Sequence, residues 1–150
     1  AELGVLVCFG GLGLDAVSAI LPEIPGVTWI FAPPMPRLPR KDCLFVEDVA
    51  FPSLLAGAEC VLTKPGYGSF AEIMMAGSRA VWLPRVPFPE APLLEADVTE
   101  PSRIRAKSAT AGDVSSAISA VLSRPRPRAR VQDDRERIAD LVVELGNLRP

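Results

Sequence analysis

Lys64, Gly66, Tyr67, Gly68 and Ser69 share one run, Lys64-Pro65-Gly66-Tyr67-Gly68-Ser69, between an apolar segment at 60–63 and a helix-like one at 69–76. Two glycines let the backbone approach a ligand closely, and a helix N-terminus adds partial positive charge from its unpaired N–H groups. Lys64 can add a full charge beside a phosphate. The chemistry these residues suit is anion binding. The run is not a P-loop, because the G-x-x-x-x-G-K spacing is absent. Glu72 comes three residues after Ser69, and Ser69-Phe70-Ala71-Glu72 reads as a capping box. Glu72 is therefore open to two roles: closing the helix end, or accepting hydrogen bonds from a sugar diol.

A second glycine turn, Gly10-Gly11-Leu12-Gly13, follows the first apolar run. Gly11-Leu12-Gly13-Leu14-Asp15-Ala16 fits the G-x-G-x-x-A dinucleotide pattern. That pattern also wants an acid at the end of the next strand, and Phe31-Ala32-Pro33-Pro34 has none, which argues against a nicotinamide or flavin dinucleotide. Two readings stay open for Gly10, Gly11 and Gly13: backbone N–H groups offered to an anion, or a turn that needs positive φ. A third loop, Pro84-Arg85-Val86-Pro87-Phe88-Pro89-Glu90, is stiffened by its prolines and carries Arg85 and Glu90. It reads either as a surface loop or as a ligand contact.

These loops need elements to hold them. Apolar runs at 3–9, 27–32, 43–46, 60–63, 80–83 and 103–106 read as strands, bounded by Gly, Pro or polar residues. Helix-like segments fall at 14–21, 51–56, 69–76 and 92–98, and residues 33–41 read as a loop. Val114, Ala117, Ile118, Val121 and Leu122 form an amphipathic stripe, and so do Ile138, Leu141, Val142 and Leu145. Strands alternating with helices imply an α/β fold, a Rossmann-like parallel sheet of about six strands with helices on both faces. Ligands of such sheets sit at the carboxyl ends of the strands, so the loops at 10–14, 46–51, 64–69 and 84–90 are the ones to inspect. The expected organisation is a domain at 1–123, an Arg/Pro-rich connector at 124–132 read as solvated, and a C-terminal amphipathic helix at 133–150 that packs on this domain or a partner.

Composition narrows the function. The chain has 150 residues, 49% hydrophobic and 23% charged, with a net charge of −2. That is globular, and it argues against general nucleic-acid binding, which wants a basic footprint. Residues 1–100 carry net −6 and residues 101–150 net +4, much of the positive charge being Arg124, Arg126, Arg128 and Arg130. There is no His, which excludes a histidine base or histidine-ligated metal within these residues. Cys8, Cys43 and Cys60 lie far apart without metal spacing and read as reduced thiols of a cytoplasmic protein. No stretch is long enough to span a bilayer, and the first residues have no signal-peptide layout. The chain starts at Ala1, almost directly on a strand, so an excised domain or processed chain is expected.

Taken together, Phe45-Val46-Glu47-Asp48, the stretch from Ala58 through Lys64-Pro65-Gly66-Tyr67-Gly68-Ser69 to Glu72, Ala76-Gly77 and Pro84-Arg85 resemble the C-terminal, donor-binding half of GT-B glycosyltransferases of family 28, the MurG-like family. The KPGYG form resembles predicted glycosyltransferases of that family. The likeness covers about residues 3–123 and is specific in 43–90. It implies that Gly10, Gly11 and Gly13 lie near the donor diphosphate, and that Phe45 and Val46 border the base. It implies that Gly66, Gly68 and Ser69 hold the diphosphate, with Tyr67 in the same turn, and that Glu72 accepts from the ribose hydroxyls. Phe88 and Glu90 would face the donor sugar, and Lys64 or Arg85 would stand in for a metal cation. The chain departs from the family in two places. Pro87-Phe88-Pro89-Glu90 stands where Gln or Asp-Gln is common, and Ser78-Arg79 follows Gly77.

The function this implies is a nucleotide-sugar-binding domain, for a UDP-sugar, of an inverting glycosyltransferase. The donor is a substrate, and no cofactor or metal is expected. The general base belongs to an acceptor-binding N-terminal half, so the domain alone should bind and not turn over. Alternatives are a small catalytic subunit of a two-component transferase, or a non-catalytic interaction domain. A peripheral association with the inner membrane surface, through the parent protein, is a further expectation.

Overall fold

The computed structural model describes residues 2–9, 14–130 and 143, with the backbone alone for 14 and 15. Eleven elements follow in chain order: β1 (Leu3–Cys8), α1 (Leu14–Ile20), β2 (Val27–Phe31), β3 (Cys43–Phe45), α2 (Phe51–Gly57), β4 (Cys60–Thr63), α3 (Tyr67–Ala76), β5 (Ala80–Trp82), α4 (Ala91–Val98), β6 (Arg103–Arg105) and α5 (Ala111–Leu122). The six strands form one parallel sheet in the order β3-β2-β1-β4-β5-β6. The sheet is a Rossmann-like α/β fold, as the alternation implied.

Side chains alternate across the sheet, because successive Cβ atoms of a strand point to opposite faces. Val5, Val7 and Phe9 join one core with Trp29, Phe31, Leu62 and Val81, covered by Val17 of α1 and by Val114, Ile118 and Val121 of α5. Met35 and Leu38, from the loop between β2 and β3, fill the same core in place of a crossover helix. Leu6, Val61, Ala80 and Trp82 face the other way, against Leu55, Phe70, Ile73 and Val98 of α2, α3 and α4. Burial on both faces is why the strands read as continuous apolar runs rather than alternating ones. Phe70 meets Trp82 edge to face, with ring centroids 5.1 Å apart.

The chain leaves β1 toward β2 and β3 on one side, and toward β4, β5 and β6 on the other. The reversal opens a crevice at the carboxyl ends of β1 and β4, where open α/β sheets bind ligands.

Segment 124–130 runs without helix or strand, as the prolines imply. Its side chains are largely exposed, but its backbone is fastened to the domain. Arg124 O accepts from Arg79 Nε at 2.8 Å, and Arg130 N donates to Met74 O at 2.9 Å. The proline content does block a helix, and the extended chain that results lies against the end of α3. The expected helix at 133–150, with Ile138, Leu141, Val142 and Leu145, lies outside the described residues apart from residue 143, as does the rest of the connector.

Candidate functional site

The crevice is built from the exits of β1 and β4. Thr63 closes β4; it is 0% exposed, and its Oγ1 donates to Cys8 O at 2.7 Å. That bond ties the two exits together at the point where the topology reverses. Pro65 then turns the chain, and Gly66 adopts extended backbone (φ −172°, ψ 142°) as the residue preceding α3. No side chain caps this helix. The N–H groups of its first turn are a ready anion site, since these groups have no intrahelical partner. A Cβ on Gly68 would meet nothing within 4 Å, so the helix surface at that residue is open.

The capping box is not formed. Ser69 is the third residue of α3 and Glu72 the sixth, because the helix begins at Tyr67. Proline at 65 and extended glycine at 66 start the helix three residues earlier than the Ser-x-x-Glu spacing suggests. Ser69 therefore does not serve as the cap either. Glu72 is exposed and shares a small pocket with Cys8, Phe51, Thr63 and Ser69. The Cys8 thiol is held above its ordinary pKa, first by burial and then by the Glu72 carboxylate, while Lys64 pulls it down. Both charges of the expected site therefore act on the thiol at the end of β1. Lys64 itself is half-buried.

Arg85 reaches this turn from the next loop. Its Nη1 donates to Pro65 O at 2.9 Å, and its guanidinium lies over the Phe88 ring, 4.2 Å from the centroid. The side chain expected to face phosphate thus braces the turn that would hold it. Phe88 is half-buried, while Val86 beside it is 90% exposed. Glu90 is exposed at the start of α4, at the same end of the sheet.

On the other side, Val46 N donates to Phe31 O at 2.8 Å and carries the β2–β3 pairing one residue further. Arg37 stacks on Phe45, 4.5 Å from the ring centroid, and pairs with Glu47 at 2.8 Å. Phe31, Arg37, Leu38 and Phe45 contribute to a groove of about 570 Å³ at this edge. Gly10, Gly11 and Gly13 lie outside the described residues. The sequence does not mark Thr63 or Arg37 as site residues, and it marks Cys8 only as a reduced thiol. Thr63 had a signal, as the one hydroxyl closing an otherwise apolar buried strand; Arg37 had none.

The three thiols are free. Among the described residues no group of three or more His, Cys, Asp or Glu could hold a metal ion, and no helix is long and apolar enough to cross a membrane.

No family model matches the chain, and no curated protein matches it. Solved structures do. The glycotransferase of kitacinnamycin is 18% identical, with a TM-score of 0.65 over 98% of this chain and 40% of its own. The spinosyn forosaminyltransferase SpnP is 16% identical, with a TM-score of 0.68 over 95% of this chain and 44% of its own. The calicheamicin glycosyltransferase CalG4 is 16% identical, with a TM-score of 0.60 over 99% of this chain and 43% of its own. The chain therefore has the fold of one part of these glycosyltransferases and spans less than half their length.

Proposed function

We propose that this chain is the donor-binding half of an inverting glycosyltransferase and takes a nucleotide-sugar, specifically a UDP-sugar. The observation that carries the reading is the uncapped N-terminus of α3 at the topological switch point, flanked by Lys64, Glu72 and Arg85. The fold likeness to glycosyltransferases supports it. The MurG-like residue pattern of 43–90 favours family 28 among them.

In this reading the N–H groups at the start of α3 and Lys64 hold the diphosphate. As the glycosidic bond to the donor breaks, negative charge grows on the departing diphosphate, and fixed donors aimed there stabilise it without reorganising. Glu72 accepts from the ribose hydroxyls. The aromatic groove at Phe31 and Phe45 receives the base end, and the Arg85–Glu90 side receives the sugar. The acceptor and its base come from a second half, in the same polypeptide or in a separate subunit, consistent with the length these residues leave uncovered in the solved relatives.

Calorimetric titration with UDP, beside ADP, GDP and NAD, tests the proposal. Selective UDP binding is expected. No binding at millimolar UDP favours the non-catalytic interaction domain, and a preference for NAD returns the first glycine loop to a dinucleotide role.

A further inference from the structure

The Arg/Pro-rich segment 124–130 does not reach the crevice, yet it is fastened to the helix that makes the anion site. At the C-terminal end of α3, Met74 O accepts from Gly77 N at 3.3 Å and from Arg130 N at 2.9 Å. Ile73 O accepts from Ser78 N at 3.1 Å and faces Arg103 Nη2 at 3.5 Å. Gly77 O faces Arg126 Nε at 3.5 Å. Arg103 is 1% exposed, and its Nε donates to Ser78 O at 3.0 Å. These groups answer the carbonyls that a helix end leaves unpaired, and their charge suits its negative pole.

The contact at Gly77 is closer than a side chain permits. Gly77 is left-handed (φ 64°), and a Cβ there would lie 2.9 Å from both Ala129 N and Pro127 O. Backbone rests on backbone. A helix of ten residues is about 15 Å long, so tilting one end displaces the other.

We propose that segment 124–130 is a positioning strap for the anion site. By holding the C-terminal end of α3, it sets where residues 66–69 stand against β1 and Arg85. Phosphate affinity then depends on a segment one helix length away. The inference rests on the reading of the α3 N-terminus as the donor phosphate site.

Gly77→Asn in the full chain tests it. Asn tolerates the left-handed region, so the variant chiefly adds a Cβ against the strap. Gly26→Asn is the control, because Gly26 also has positive φ (77°) but would place its Cβ near nothing within 4 Å. UDP is titrated into all three proteins, and amide hydrogen exchange is followed at 67–72 and 124–130. Gly77→Asn is expected to speed exchange in both segments and weaken UDP binding about three- to ten-fold, with Gly26→Asn unchanged. Faster exchange at 124–130 with unchanged exchange at 67–72 and unchanged affinity overturns the proposal. If the unaltered chain binds no UDP, the donor reading fails alone, and exchange at 67–72 still decides the strap. Should Gly77→Asn not fold, the double variant Pro125→Gly, Pro127→Gly loosens the strap without adding an atom and is read in the same way.

Discussion

Glu72 carries the sharpest residue-level prediction, because its structural alternative has gone. As the sixth residue of α3 it is too far along to close the helix. Glu72→Ala should lower UDP affinity by about 1–3 kcal/mol, the value of a hydrogen bond involving a charged group, with an unchanged melting temperature. A lower melting temperature with intact affinity would make it structural. The sequence leaves Glu72 open because one spacing serves both roles; Pro65 and Gly66, just before the helix begins, remove the capping role. Arg85 was legible as a charge near the site but not as a brace, since its partner is a backbone carbonyl. Arg85→Lys should weaken UDP binding nearly as much as Arg85→Ala, because an ammonium lacks the planar group that lies over Phe88 while bonding Pro65. The thiols give a pH dependence. Burial pushes Cys60 up to about 12 and Cys43 up to about 11. A folded-state pKa above the unfolded one stabilises the fold below the ordinary thiol value of roughly 8.5. That contribution is lost as pH rises toward the folded values. The denaturant midpoint should stay level from pH 7 to about 8.5 on this account and fall above about 9, and Cys60→Ala should flatten the fall.

At the scale of elements, the strands were readable because burial on both faces makes each an unbroken apolar run. Their ends are less so: the run at 3–9 pairs as Leu3–Cys8 and the run at 80–83 as Ala80–Trp82, since burial continues past the strand ends to Phe9 and Leu83. The strap was unreadable in principle. Its Arg and Pro residues suit a solvated linker equally well, and its closest approach to α3 is backbone on backbone, which leaves no side-chain signature. Gly77, which ends the helix as its left-handed cap, has a second duty that only the contact reveals. Gly77→Ala should therefore cost about 2 kcal/mol or more, from left-handed strain of roughly 1–2 kcal/mol plus the clash. Gly26→Ala, where a Cβ meets nothing within 4 Å, should cost only the strain. Paired thermal or urea unfolding of the two variants checks the difference.

For the whole molecule, the sequence announced a parallel sheet but not its order, because a βα unit can dock on either side of the strand before it. The order sets the site: only with β1 beside β4 do the end of β1 and the Lys64 turn flank one crevice. If that crevice takes UDP, the nucleotide should stabilise the entire domain, by about 2.7 kcal/mol at a hundred-fold excess over Kd. A dose-dependent rise in melting temperature with UDP, absent with NAD, is the expected result. The same adjacency has a consequence in time. Val5 pairs beside Cys60 and Cys8 beside Thr63, so a growing chain presents one bare edge of this central strand until Thr63 has been made. At roughly 5–20 residues per second, that interval is on the order of several seconds. During it the strand is a template for wrong partners, and arrested nascent chains ending before β4 should be the ones that aggregate or recruit chaperones.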